Sequence, residues 1–380
     1  MKTAVNPGER WLSLQASLCK RADFRFQIRY IEVQTPQYQM KRRDMSSSRQ
    51  RMLDAFEFNN PDKIPVVYHP SPAGLYRHGK KLLDLFNEYP PDNPVTFDSI
   101  PAPPPGTIDP NGLYYEIRQD EWGTEWEYRI YGIQGHPRKY PFAGWEEAKD
   151  YNFPPIPILD KTELLKQRRN YLIFSGWISI FEKLHALRPM DEVLMDLFTE
   201  NKHLLIFLDR LVNYWLETIE ALIKAGVDVV VFGDDYGAQS SSLISPGLFH
   251  ELFRPRYQKL MEPVKKAGAK VFFHSCGYLG EILDELFDLG IDGLWPQLPL
   301  YENDPKFAER CKAHRAAIYI HPDRQKLIPL GTVAEIKTAI HNYAETYHRL
   351  GGGGIFYIEI ENDAPFENVE ALIKSVHNER

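Results

Sequence analysis

Cysteine is scarce in this chain: Cys19, Cys276 and Cys311 are the only three in 380 residues. They are too few and too scattered for a disulfide framework, so a reducing cytoplasm is the expected compartment. Long apolar runs are missing as well, and with them any segment able to span a bilayer as a helix. The first residues lack the apolar core of a secretory signal peptide. There is no basic surplus. Lys and Arg number 45 against 52 Asp and Glu, a formal net charge of −7, which argues against a nucleic-acid surface. No strand-like run leads into a Gly-x-Gly-x-x-Gly loop, so the dinucleotide-binding fingerprint is absent. What is present is a globular, aromatic-rich composition, 43% hydrophobic with 7 Trp, 21 Tyr and 21 Phe, and material for a large core.

Residues 1–44 differ from the rest. They hold nine Lys and Arg against four Asp and Glu, a local charge of +5 that leaves −12 on the remainder. The segment ends in Lys41-Arg42-Arg43, after which Met45-Ser46-Ser47-Ser48-Arg49 leads into a helix with serines available as N-caps. Two readings follow. Residues 1–44 are an extension outside the fold, with Met45 the natural start, or they form an N-terminal arm, helical around residues 11–18. The expected division is therefore 1–44 as extension and 45–380 as one domain.

From residue 227 onward the pattern is regular. Short apolar runs at 227–232, 270–274, 291–295, 316–320 and 355–360 read as strands, separated by helical patterns at 246–266, 279–289, 304–312, 333–349 and 365–377. Such alternation implies parallel βα units. Earlier strands at 64–68 and 171–174 bring the count toward eight, and runs at 113–117 and 126–130 read as an inserted antiparallel hairpin. A (β/α)8 TIM barrel fits this rhythm, and in such a barrel chemistry sits at the C-terminal ends of the strands.

Three strand ends carry unusual polar groups. Val271-Phe272-Phe273 runs into His274-Ser275-Cys276-Gly277. Side chains alternate across a strand, so His274 and Cys276 share a face, and imidazole with thiolate is a zinc-suited pair. The strand at 227–232 runs into Asp234, Asp235, Tyr236 and Gln239; the last strand places Glu359 and Glu361 on one face. Acids on an apolar strand are costly unless they meet a cation, donors or water. Glu359 and Glu361 could equally pair with Arg324 or Lys326, and Asp234 could be a helix cap. His, Cys and a carboxylate would make three protein ligands, the catalytic-zinc pattern that leaves a position open.

In this light the sequence resembles the uroporphyrinogen decarboxylase superfamily, a set of (β/α)8 barrels, from about Arg49 to the C-terminus. The resemblance is carried by Arg49-Gln50-Arg51-Met52-Leu53, Pro61-Asp62-Lys63-Ile64-Pro65, Asp120-Glu121-Trp122-Gly123, Phe181-Glu182-Lys183-Leu184 and Leu187-Arg188-Pro189. Ile244-Ser245-Pro246, Arg254-Pro255, His274-Ser275-Cys276-Gly277, Gly331-Thr332 and Asp363-Ala364-Pro365-Phe366-Glu367-Asn368 complete the ordered series. The decarboxylases carry an arginine-rich loop that binds the substrate's many carboxylates. After the first strand this chain reads Val66-Val67-Tyr68-His69-Pro70-Ser71-Pro72-Ala73-Gly74, without those arginines.

The resemblance therefore points to the branch of zinc-dependent methyltransferases that work with a corrinoid protein. His274 and Cys276 match the first two zinc ligands; the third is a cysteine near the last strand in the coenzyme M enzymes, and this chain has no Cys there, so a glutamate takes the place, Glu361 nearer the strand's end or else Glu359. Asp234, Asp235 and Glu359 are the candidate catalytic residues, and Tyr236, Gln239 and His69 the candidate substrate contacts. The expected activity moves a methyl group between a small methylated donor, such as a methoxy compound, or a thiol acceptor and a corrinoid (cobalamin) partner, with Zn2+ as cofactor. A carboxy-lyase of the decarboxylase type and a non-catalytic binding barrel are the alternatives.

Overall fold

The computed structural model describes residues 46–304, 306–348 and 351–380. The segment assigned above to an extension lies outside the described residues. Among the described residues there are ten strands: β1 (Val66–Tyr68), β2 (Glu116–Gln119), β3 (Glu125–Tyr128), β4 (His136–Lys139), β5 (Phe174–Ile178), β6 (Val229–Gly233), β7 (Lys270–Ser275), β8 (Gly293–Pro296), β9 (Ala317–Ile320) and β10 (Gly354–Ile358).

Seven of them form one parallel sheet in the order β1-β10-β9-β8-β7-β6-β5. Helices between successive strands return the chain to the same end, which is why every neighbour runs parallel. The last strand pairs with the first, so the sheet curls into a TIM-barrel-like α/β fold. Residues 69–173, between β1 and β5, supply no strand to this sheet among the described residues.

Strand alternation divides the core in two. Val67, Phe174, Val229, Val231, Phe272, Ala317, Tyr319, Ile355 and Tyr357 pack together inside the curl. The residues between them, such as Val66, Val230, Phe273, Ile318 and Phe356, pack outward against the helices. The helix Ser48–Phe56, capped by Ser47, closes the N-terminal end of the curl with Met52, Ala55 and Phe56. Phe56 meets Phe174 and Phe272 at ring-centre distances of 5.9 and 6.0 Å. Gly293 is required here, since a Cβ would lie 2.5 Å from the Phe272 ring and 2.8 Å from that of Phe56. Burying each large ring contributes roughly 1.5–3 kcal/mol.

Two local expectations shift. The inserted hairpin is a three-stranded antiparallel sheet, β2-β3-β4, whose turn is fixed by Asp120, accepting from the Trp122 and Thr124 amides and the Trp126 indole. The strand expected over 171–174 instead runs Phe174–Ile178, where Gly176 at φ +90° accommodates a bulge in mid-strand.

Candidate functional site

The polar groups meet at the C-terminal ends of the strands. His274 and Cys276, two residues apart on β7 and just beyond it, bring Nε2 and Sγ to 3.4 Å. The Nδ1 of His274 lies 2.9 Å from the Trp295 carbonyl. A carbonyl only accepts, so Nδ1 carries the proton and the Nε2 lone pair faces Cys276. The Trp295 ring also packs against the imidazole, tilted by 49° at a ring-centre distance of 4.2 Å. Glycine sets the loop that follows: Gly237 and Gly277 touch backbone to backbone, and a Cβ on Gly277 would lie 2.1 Å from the Gly237 carbonyl carbon.

Asp235 completes the group. Its Oδ1 is 3.4 Å from His274 Nε2 and accepts the Cys276 amide at 2.6 Å. Asp235, His274 and Cys276 each turn one donor atom to within 4.8 Å of the others, and they are the only such group among the described residues. Burial pushes the Cys276 thiol up, and the Asp235 charge pushes it further. Burial holds His274 below its usual range. A neutral imidazole lone pair, a thiol that needs a cation to ionise and a carboxylate are what a metal would gather.

Glu361, expected as third ligand, is not in this group. Its carboxylate pairs with Arg324. Glu359 is more enclosed and faces inward, with Oε1 3.5 Å from His69 Nδ1 and Oε2 3.5 Å from His321 Nε2 and 3.6 Å from Arg324 Nη1. Burial raises both carboxyls while Arg324 opposes it. Burial, then Arg324, brings His69 down to about 3, and holds His321 well below the usual range.

The remaining expected residues are placed differently. Asp234, fully buried, accepts the amides of Ile180, Phe181 and Glu182 and the hydroxyls of Tyr236 and Tyr257. It caps the helix Phe181–Leu187 and touches no open space, a structural position rather than a catalytic one. Tyr236 is likewise fully buried, stacked on Phe181, and lines no surface. Gln239 is exposed beyond the β6 end. Four residues were not anticipated: Glu182, which accepts from the Trp177 indole at 3.0 Å, Trp177 itself, Trp295 and His321. Burial, then Asp235 and Asp234, drives Glu182 well above the usual carboxyl range.

A parallel α/β barrel with its polar groups gathered at the strand ends defines the class: an enzyme-type TIM-barrel-like fold. Residues 158–379 match the family model described as uroporphyrinogen decarboxylase (URO-D), and the chain belongs to that family. Curated uroporphyrinogen decarboxylases from strains of Coxiella burnetii are 28% identical over 178 residues, 45% of this chain and 46% of theirs. The chain thus spans about half the length of the curated relatives it matches. Among solved structures, a methyltransferase from Methanosarcina mazei superposes with a TM-score of 0.54 at 19% identity, covering 87% of this chain and 98% of that one. That likeness is one of fold.

Proposed function

We propose that the chain is a metal-dependent methyltransferase that exchanges a methyl group between a small molecule and a corrinoid protein. The observation that carries this reading is the convergence of Asp235, His274 and Cys276 at the barrel mouth. The donor set, one sulfur, one imidazole nitrogen and one carboxylate oxygen, suits Zn2+. Asp235, from the end of β6, serves as the third donor in this reading, while Arg324 holds Glu361 away from it. The bound metal would supply Lewis acidity, either keeping a thiol substrate ionised or polarising an oxygen that carries a methyl group.

The chain's own residues have assignable tasks. The Trp295 carbonyl fixes the His274 tautomer, and its ring holds the imidazole in place. The Cys276 amide orients Asp235. Glu359 and, gathered beside it, His69, His321 and Arg324 would face the small molecule. In the transfer itself the methyl group leaves without its bonding electrons, which stay on the group it departs, and the attacking atom provides the new pair. A reduced corrinoid on the partner would supply that pair in the direction from substrate to corrinoid. The two free cysteines described, Cys276 and Cys311, accord with a cytoplasmic setting.

The lyase alternative draws on the curated relatives. It is the weaker reading here, because the mouth gathers carboxylates where a polycarboxylate substrate needs arginines. Spectroscopy separates the two. Zinc-loaded protein should strip the methyl group from methylcobalamin in the presence of a thiol, or methylate reduced cobalamin from a methoxy donor, each followed by the change in cobalt absorption. Failure of both across a broad panel of thiols and donors, with release of carbon dioxide from a porphyrinogen, would replace this reading with the lyase.

A further inference from the structure

We propose that Glu359 anchors a positively charged, N–H-bearing group, so that the barrel mouth takes a small organic ammonium ion rather than a carboxylate. This rests on the reading of the mouth as the methyl-transfer site and names the charge class of its small molecule.

Glu359 is ringed by nitrogens that do not reach it. Its nearest nitrogens, on His69, His321 and Arg324, stand at 3.5, 3.5 and 3.6 Å, beyond the usual hydrogen-bond length. His69 Nδ1 accepts the Ser71 amide at 3.2 Å, so the proton of the neutral ring is on Nε2 and Nδ1 brings none to Oε1. His321 Nδ1 accepts the Trp295 indole at 3.2 Å, so its Nε2 carries a proton, yet that buried atom has no hydrogen-bond partner. Arg324 is drawn closer to Glu361. A carboxylate 16% exposed is thus surrounded by polar groups that stop short of it. A ligand with N–H donors fills that gap.

Charge points the same way. Asp235, Glu359 and Glu361 face the mouth, and Arg324 is the one guanidinium paired with any of them among the described residues. The imidazoles beside Glu359 add little positive charge, since burial holds His69 and His321 below their usual range. A substrate carboxylate placed beside Glu359 would meet a like charge, whether or not a metal sits on Asp235, His274 and Cys276.

The test uses three probes that share a branched frame and differ in charge: isopropylammonium, isopropanol and isobutyrate. Binding to the full chain is followed by tryptophan fluorescence and calorimetry, with and without zinc and without any corrinoid, so that failure of methyl transfer leaves this result readable. The ammonium should bind at least about tenfold more tightly than the alcohol, isobutyrate more weakly than either, and added salt should erode the ammonium's advantage. Glu359→Gln should bring the ammonium to the level of the alcohol while the melting temperature holds. Should Glu359→Gln fail to fold, the wild-type ranking decides alone. Equal binding of ammonium and alcohol, or tighter binding of isobutyrate, overturns the proposal.

Discussion

The two ends of the barrel treat charge in opposite ways. At the N-terminal end the buried carboxylates Asp92 and Asp228 are closely matched. Arg51 bonds Asp92 at 2.5 Å and Asp62 at 2.8 Å, and Arg380 bonds the second oxygen of Asp92 at 2.5 Å. Asp228 is held by Arg49 and Arg168, each at 2.8 Å or less. At the C-terminal mouth, Glu359 has three nitrogen neighbours at 3.5–3.6 Å, and Asp235 stands 3.4 Å from His274. The first arrangement lowers Asp62 and Asp228 below their usual range through their arginines, against the pull of burial. The second leaves Glu182 and Glu359 raised by burial. One end uses its charges up in holding the fold; the other leaves Glu359 and Asp235 without a cation at hydrogen-bond distance.

The largest effect should come from breaking the matched end. Arg51→Ala leaves Asp92 and Asp62 without their shared partner, and denaturant unfolding should show a loss of about 3–5 kcal/mol. If the loss is below about 1 kcal/mol, the network is a surface pairing and the contrast between the ends falls.

The next effect is one of pH. His69 is depressed to about 3 in the fold, while the unfolded side chain titrates near 6.5. Between those values the unfolded chain takes up a proton that the folded one refuses, so this contribution is complete above 6.5 and is lost as pH falls. The slope approaches about 1.4 kcal/mol per pH unit for this one group. His69→Gln should flatten the acid side of the stability profile by about that much. An unchanged slope would mean that His69 is protonated in the fold.

The smallest effect belongs to the mouth. Glu359→Gln removes a buried charge without a close partner, so stability should change by less than about 0.5 kcal/mol or rise. A loss like that of Arg51→Ala would show Glu359 to be matched after all.

Much of this was legible from residue order. Period-2 alternation separates Phe272, His274 and Cys276 from Val271 and Phe273, and the structure turns the first set inward. The same alternation, carried along β6 from Val229 and Val231 through Gly233, puts Asp235 inside and Asp234 toward the helices. Trp295 follows Gly293 and His321 follows Tyr319 by the same step, so both could have been found by treating every strand end alike. Arg324 as partner of Glu361 was among the alternatives that the sequence allowed. Glu182 carried no such signal. It reaches the mouth from a helix whose start is fixed by Asp234, about fifty residues further along the chain, and only tertiary contact reveals that. The extent of β5 was hidden for a related reason, since a mid-strand glycine reads as a break until its φ is seen.

The claim that the mouth holds a metal through Asp235, His274 and Cys276 is tested most directly by elemental analysis of zinc-reconstituted full-length protein, with folding checked by circular dichroism. The wild type should retain stoichiometric zinc after desalting, Cys276→Ala should retain none, Asp235→Asn should bind it more weakly, and Glu361→Gln should keep it. A wild type without zinc, a Cys276→Ala protein that retains it, or a loss on Glu361→Gln that Asp235→Asn does not show would contradict the account.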